Sequence, residues 1–217
     1  PELDQRCTGM EFATEMIIKS SLRSARIAEV PITLHPDGRT TRAPHLRTFR
    51  DGWRTLRFFL MYSPRYLFLV PGGVLIALGL AGYALALPGV TIRGATLDAH
   101  TLLFASLALI CGYQSILFAV FAKIFAIRER LLPEDSRMTR LFRVVTLERG
   151  AIAGAGAILL GVVLLSAAVW AWAKASFGPL DYATTMRWVV PGVTLTALGF
   201  QTVLSSFFMS ILGMPRR

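Results

Sequence analysis

The sequence is poor in the residue types that build disulfide frameworks and metal clusters. Its 217 residues include two cysteines, Cys7 and Cys111, and three histidines, His35, His45 and His100. Two distant thiols, one of them inside an apolar run, predict two unpaired cysteines. The scattered histidines predict no metal site, and no Gly-rich phosphate loop or nucleophile elbow is present.

Charge is also scarce. Charged residues make up 17% of the chain and hydrophobic residues 54%, whereas about a quarter of a soluble domain is charged. The deficit comes from four apolar runs, at about 66–87, 101–127, 151–173 and 188–214. Each is long enough for a hydrocarbon core of about 30 Å, and a backbone in lipid must satisfy its own hydrogen bonds. The runs therefore predict four transmembrane helices.

The excess of basic residues has a membrane interpretation. Lys and Arg exceed Asp and Glu by ten, and they cluster beside the apolar runs, which favours anionic membrane lipids as partners and not nucleic acid. Of 23 Lys and Arg, eleven lie in residues 1–65 and six in 128–150, whereas 88–100 holds Arg93 alone. The positive-inside rule therefore predicts a multi-pass protein of the cell inner membrane with cytoplasmic N- and C-termini.

An internal repeat is visible within the apolar runs. Residues 112–117 (GYQSIL) match 199–204 (GFQTVL) at an offset of 87, and residues 73–76 (GVLI) match 161–164 (GVVL) at an offset of 88. The pattern predicts two similar helical hairpins, with chance similarity among apolar residues as the alternative. Gln114 and Gln201 lie deep in their spans, where their amides can bond across helices.

The N-terminal stretch predicts one helix and one strand. Thr8 and Glu11 form a capping box, and residues 26–34 are alternating and β-branched. One helix and one strand cannot bury a core, so we expect this stretch to complete a sheet supplied from upstream or from another chain. The chain starts at Pro1 and is expected to be a piece of a longer protein.

An amphipathic helix is predicted at residues 46–60. Apolar residues repeat there at steps of three and four, and arginines repeat beside them; the two sets are Leu46, Phe49, Trp53, Leu56 and Leu60, and Arg47, Arg50, Arg54 and Arg57. A basic stripe beside an aromatic stripe is typical of a helix in a membrane interface. Such a helix either only holds the protein at the bilayer or also binds a lipid-linked phosphate through its arginines.

Four segments carry a resemblance to a known family: residues 8–16 (TGMEFATEM), 26–32 (RIAEVPI), 36–39 (PDGR) and 44–54 (PHLRTFRDGWR). They resemble the end of the catalytic domain in membrane-anchored family 2 glycosyltransferases, similar to dolichyl- or polyprenyl-phosphate mannosyl- and glucosyltransferases. The resemblance is close over about residues 5–65 and extends to the hairpins in pattern only.

The resemblance implies a mainly α fold. The tail end of an α/β domain of GT-A type (1–45) and an interfacial amphipathic helix (46–65) precede a four-helix transmembrane region (66–217). It also implies transfer of a hexose from a nucleotide sugar to undecaprenyl or dolichyl phosphate at the cytoplasmic face. Mg or Mn is expected in a catalytic domain outside this chain, and the catalytic residues stay unassigned.

By the same resemblance, four arginines are expected to position the lipid phosphate: Arg39, Arg42, Arg47 and Arg50. Phe49, Trp53, Arg54 and Arg57 are expected to hold the helix in the membrane interface. The alternative function is a non-enzymatic four-helix module that scaffolds or translocates a lipid-linked sugar. The sugar, the carrier length and the oligomeric state, including a homo-oligomer, are left open.

Overall fold

The computed structural model describes residues 5, 9, 11–22, 24–33, 47–63, 65–92, 94–128 and 146–214. The chain divides into two compact units. The first comprises residues 1–63 with 126–133, and the second comprises 64–125 with 134–217.

The first unit contains helix α1 (Glu11–Leu22) and helix α2 (Thr48–Tyr62). The first turn of α1 is joined to the preceding chain by the Phe12 N–H, which donates to the Gly9 carbonyl at 3.1 Å. Thr8, the predicted capping residue, lies outside the described residues. One face of α1 is buried and contains an ion pair, in which Lys19 Nζ lies 2.6 Å from Glu15 Oε1.

The strand predicted at residues 26–34 does not form within the part of this chain that the structure describes. Residues 25–33 have no strand partner among the described residues. Val30 is 76% exposed and Ile32 is 82% exposed. A strand exists through its ladder with a neighbouring strand, so β-branched composition alone does not produce one.

The second unit contains four long helices, which we call α3 (Val70–Ala86), α4 (Ala99–Arg128), α5 (Leu147–Lys174) and α6 (Tyr182–Gly213). A π-helical turn, Arg65–Leu69, leads directly into α3. With this turn, all four helices are long and apolar enough to cross a membrane, at 22, 30, 28 and 32 residues. The predicted mainly α, four-helix membrane region is therefore confirmed, and the chain is a multi-pass membrane protein.

The fourth span begins six residues earlier than the predicted position 188, because a capping residue starts α6. The side chain of Asp181 accepts a hydrogen bond from the Thr184 N–H at 2.7 Å. This backbone hydrogen bond holds the pKa of Asp181 below its usual value. A carboxylate at this position also suits the positive end of the helix dipole.

Two connections lie at the same end of the four helices, and we call this the turn end (residues 87–98 and 175–181). In the first connection, strands β1 (Thr91–Ile92) and β2 (Ala95–Thr96) form a short antiparallel ladder. In the second, Ser176 and Phe177 have positive φ angles of 52° and 58°. The Trp172 indole N–H closes that turn by donating to the Gly178 carbonyl at 3.2 Å.

Glycines bring the two helices of each hairpin into backbone contact. In hairpin 1 (α3 and α4), a Cβ atom added to Gly72 would stand 2.8 Å from the Gly112 carbonyl oxygen. In hairpin 2 (α5 and α6), a Cβ atom on Gly154 would stand 2.7 Å from the Gly199 carbonyl oxygen. Small residues that allow close helix approach are the usual basis of packing in membranes, where lipid competes for apolar surface.

These contacts correct the register of the predicted repeat. Gly79 lies against the carbonyl of Ala105, and Gly161 lies in the same way against the carbonyl of Gly192. In the first helices Gly161 therefore corresponds to Gly79 and not to Gly73, whereas the predicted match between α4 and α6 agrees with the contacts. Short apolar tetrapeptides are too similar to one another to fix a register, and the contact glycines fix it instead.

Candidate functional site

Helix α2 carries the candidate site in the first unit. The helix begins at Arg47 and Thr48, where the Arg47 N–H donates to the Asp51 side chain at 2.9 Å. Asp51 lies in the first turn, where a negative charge interacts favourably with the positive end of the helix dipole. The helix therefore starts two residues later than predicted, and it continues to Tyr62.

The apolar stripe of α2 is unusually exposed. Phe49 is 94% exposed, Trp53 is 61% exposed and Leu56 is 47% exposed. Large apolar side chains at steps of four and three form a single face, and nothing in the described residues covers it. A continuous exposed aromatic face of this kind marks a surface for lipid or for another macromolecule.

A groove runs between this apolar stripe and the arginines. It has a volume of about 620 Å³ and is lined by Phe49, Arg50, Trp53, Arg54 and Arg57. All three arginines are exposed at the surface. A groove with one cationic wall and one aromatic wall suits an amphiphile that has an anionic headgroup, because guanidinium forks match phosphate oxygens.

The structure groups the predicted residues differently from the sequence analysis. Of the four arginines predicted for a lipid phosphate, Arg50 lines the groove, Arg47 lies at the start of the helix, and Arg39 and Arg42 lie outside the described residues. Arg54 and Arg57, predicted only as membrane-interface residues, lie in the groove beside Arg50. The roles of all these residues stay predictions.

No metal-ligand set is found in the part of the chain that the structure describes, where three or more His, Cys, Asp or Glu side chains nowhere come together. The described residues therefore do not fit the divalent metal that the resemblance implies. The expectation of Mg or Mn in another domain stays a prediction.

A buried charged pair in α1, Glu15 with Lys19, was not predicted from the sequence. Glu15 is 1% exposed and Lys19 is 8% exposed. Spacing of four residues on a helix is a signal for such a pair, but burial is a property of the surrounding unit and is not visible in the spacing.

Polar contacts join the two hairpins in the second unit. The Tyr83 hydroxyl of α3 lies 2.7 Å from Ser106 Oγ of α4 and donates to Thr194 Oγ1 of α6 at 3.0 Å. Further along, the hydroxyls of Tyr113 and Thr202 lie 2.7 Å apart. These hydroxyl contacts connect α6 with both helices of hairpin 1, and the sequence analysis had identified only the glutamines in this region.

Comparison with known proteins gives a consistent result. Residues 120–213 match the glycosyltransferase family 2 C-terminal transmembrane region. The chain is also 35% identical over 212 residues to the low-salt glycan biosynthesis hexosyltransferase Agl6 of Haloferax volcanii. That alignment covers 97% of this chain and 49% of the relative, so the chain spans about half the length of that protein. No solved structure matches the chain.

Both matches agree with the architecture described above. The matched region ends with α6 and includes the whole of hairpin 2, and the similarity to the hexosyltransferase extends across both units. The chain thus belongs to the membrane-bound family 2 glycosyltransferases, and it corresponds to the C-terminal part of such a protein.

Proposed function

We propose that this chain serves a glycosyltransferase that moves a hexose from a nucleotide sugar to polyprenyl phosphate at the cytoplasmic membrane face. The family match and the similarity to a hexosyltransferase support glycosyl transfer. The observation that carries the proposal for the acceptor is the groove of α2, which combines three arginines with two exposed aromatic side chains.

In this proposal the groove holds the acceptor by both of its parts. The lipid phosphate binds to Arg50, Arg54 and Arg57, and the first carbons of the lipid chain lie along Phe49 and Trp53. Each arginine near an anionic surface contributes about 1 kcal/mol. Holding the phosphate at a fixed place on a helix in the interface reduces the entropic cost of bringing it to the sugar donor.

The transfer itself is a displacement at the anomeric carbon of the sugar. A phosphate oxygen of the acceptor forms the new bond to that carbon, and the bond between the carbon and the nucleoside diphosphate breaks with the electron pair leaving on the diphosphate. The nucleotide-sugar site and the catalytic residues are not assigned to described residues. The contribution of this chain is to bind and orient the acceptor.

The proposed orientation places α2 and both termini in the cytoplasm and the turn end outside a cell inner membrane. The positive-inside distribution of Lys and Arg supports it. Aromatic residues of α5 next to the turn end also agree with a membrane interface: Trp170 is 63% exposed and Trp172 is 44% exposed. Lys174 Nζ lies 3.6 Å from the centre of the Trp170 ring, so its charge is held at the same level.

The test uses the full-length protein and steady-state kinetics with both substrates varied. Replacing Arg50 and Arg57 by Gln is expected to raise the KM for polyprenyl phosphate about tenfold, which corresponds to about 1.4 kcal/mol. The KM for the nucleotide sugar should not change. A matched control is Arg26→Gln, which removes an exposed arginine outside the groove.

A further double variant separates the charge of the arginines from their bidentate geometry. Arg50→Lys with Arg57→Lys keeps the charge and should recover part of the affinity for the acceptor, because only the bidentate geometry is lost. Equal acceptor KM values for wild type, the Gln variant and the control would contradict a phosphate site in the groove.

The non-enzymatic alternative, a module that scaffolds or translocates a lipid-linked sugar, is favoured by one observation, the polar contacts between the hairpins. The same kinetic experiment separates the two functions. A full-length protein that binds lipid-linked sugar but transfers no hexose would support the module.

A further inference from the structure

The contacts within the hairpins and the contacts between them differ in chemistry. Within each hairpin, glycine backbones touch, as at Gly72 with Gly112 and Gly154 with Gly199. Between the hairpins, hydroxyl groups meet across the interface, as at Tyr113 with Thr202. No other molecule can replace the contact between two helix backbones. A side-chain hydroxyl, in contrast, can exchange its partner across the interface for a hydrogen bond to another hydroxylated molecule.

The direction of these hydrogen bonds follows from the available hydrogens. Thr194 and Thr202 each donate their single hydroxyl hydrogen to the backbone carbonyl four residues earlier, at 2.7 Å. Tyr83 and Tyr113 are therefore the donors across the interface, and the threonines are acceptors. We call the set of polar residues along this interface the seam: Tyr83, Ser106, Tyr113, Thr194, Gln201 and Thr202.

Gln201 faces hairpin 1 from the middle of the seam. Thr194, Gln201 and Phe208 follow one another at steps of seven and so lie on one line along α6. Both ends of this line contact hairpin 1, since Thr194 bonds to Tyr83 and the ring of Phe208 lies 4.9 Å from that of Phe121 in an edge-on arrangement. The side chain between them lies in the same interface.

The amide oxygen of Gln201 is buried and accepts no hydrogen bond from any described residue. The residue is twelve positions from the end of α6 at Gly213, which at 1.5 Å per residue is about 18 Å inside the helix. Lipid chains at this depth supply no donor. A buried acceptor without a donor costs free energy, and natural structures meet this cost with water or a ligand.

We propose that the seam is a binding site for a molecule that carries O–H donors, and that one of these hydroxyls donates to the amide oxygen of Gln201. Two sources have this chemistry: water, and the hydroxyl-rich headgroup of a glycosylated lipid. The second source rests on the proposed function, whereas the site itself does not. The hydroxyl hydrogens of the seam are already used in the bonds described above, but the tyrosine and threonine oxygens keep lone pairs and can accept further hydrogen bonds from either occupant.

The test measures whether polar solutes reach the seam. In full-length protein with every native cysteine replaced, including Cys7→Ser and Cys111→Ala, single cysteines are introduced as Gln201→Cys or Phe200→Cys and treated with a charged thiosulfonate in membranes. Phe200 is the neighbouring residue and is 58% exposed on the outside of the bundle. A thiol reacts as its thiolate, which forms beside water and not in lipid, so Gln201→Cys should react about tenfold faster than the control.

A second arm identifies the source of the hydroxyls. The labelling is repeated with octyl glucoside below its micellar concentration, and with a chain-matched amine oxide that lacks a sugar. Slower labelling of Gln201→Cys with the glucoside alone would identify a glycosyl headgroup. Equal labelling rates of Gln201→Cys with the glucoside and with the amine oxide would identify water. Both results support the site, and labelling of Gln201→Cys no faster than Phe200→Cys would overturn it.

A third measurement guards against a cysteine variant that changes the packing. Gln201→Met keeps the length of the side chain and removes the acceptor. If a donor occupies the site, the melting temperature in membranes falls; if the oxygen is unpaired, it rises, because an unmet polar group has been removed. None of these measurements depends on hexose transfer, so failure of the site and failure of the proposed function are distinguishable.

Discussion

The two hairpins share their glycine contacts but not their tyrosine hydroxyls. Gly72 and Gly79 in α3 have the same contacts as Gly154 and Gly161 in α5. The match between α4 and α6, in contrast, makes Phe200 of hairpin 2 the equivalent of Tyr113 of hairpin 1, and the corrected register makes Leu165 the equivalent of Tyr83. The repeated glycines hold each hairpin together, whereas the tyrosines that join the hairpins occur in hairpin 1 alone.

The largest expected effect comes from adding a side chain at a glycine where two helix backbones touch. A Cβ atom at Gly199 would stand 2.6 Å from the Gly154 carbonyl oxygen, which is backbone and cannot turn aside. Gly199→Ala should therefore lower the free energy of unfolding by about 1–3 kcal/mol, measured by denaturant titration in mixed micelles. Gly156→Ala in the same hairpin is the control, since nothing lies within 4 Å of its added Cβ. Equal stability of the two variants would remove the glycine contact from the account.

A smaller effect is expected where the hairpins already differ. Hairpin 1 has Ala105 at the position that Gly192 occupies in hairpin 2, and a Cβ at Gly192 would lie 3.0 Å from Leu165 Cγ and 3.1 Å from the Gly161 carbonyl oxygen. Gly192→Ala should therefore cost less than half as much as Gly199→Ala in the same titration. A larger loss of stability would show that a side chain at this position is tolerated in hairpin 1 but not in hairpin 2.

The hydroxyl contacts between the hairpins are expected to be weaker still. A double-mutant cycle with Tyr113→Phe and Thr202→Val should give a coupling of about 0.6 kcal/mol, the average for such bonds in membranes. The complementary variant Phe200→Tyr adds a hydroxyl at the repeat-related position and should change stability little, because Phe200 is exposed. A coupling of zero would mean that the tyrosines do not join the hairpins.

The smallest expected effect is local and depends on pH. The pKa of Asp181 is lowered from the usual value of 3.8, mainly by the hydrogen bond from the Thr184 backbone N–H. A lowered folded-state pKa means that the carboxylate stabilises the start of α6 above about pH 3.8 and that this contribution is lost as pH falls through the lower folded value. The protection factor of the Thr184 amide, which is the exchange rate corrected for the intrinsic effect of pH, should fall on acidification, and Asp181→Asn, which caps without charge, should abolish this fall.

The sequence predicted what depends on composition and period. Long uncharged runs identify the four spans because lipid excludes unpaired polar backbone, and steps of three and four identify α2. The start of α6 was missed, because a single capping carboxylate extends the helix beyond the apolar run. The strand predicted at 26–34 does not form in the described residues, because a strand requires a neighbour that no local pattern supplies.

The candidate site was predicted in part. Period alone identified the arginines of α2, but the groove selects Arg50, Arg54 and Arg57 and leaves Arg47 at the helix start. The hydrogen bond from Tyr83 to Thr194 joins residues 111 positions apart. This hydrogen bond depends on how hairpin 1 is aligned against hairpin 2. The sequence repeat did not predict that alignment, and its match between α3 and α5 was itself wrong.

The most direct test of the account is the sidedness of α2, because in the proposed function its arginines share a compartment with nucleotide sugars. With Cys7→Ser and Cys111→Ala as background, single cysteines replace Arg26, which precedes α2, and Ala175 at the turn end, both exposed. We expect an impermeant maleimide to label Ala175→Cys in intact cells and Arg26→Cys only after permeabilisation. Labelling of Arg26→Cys in intact cells would contradict the proposed site.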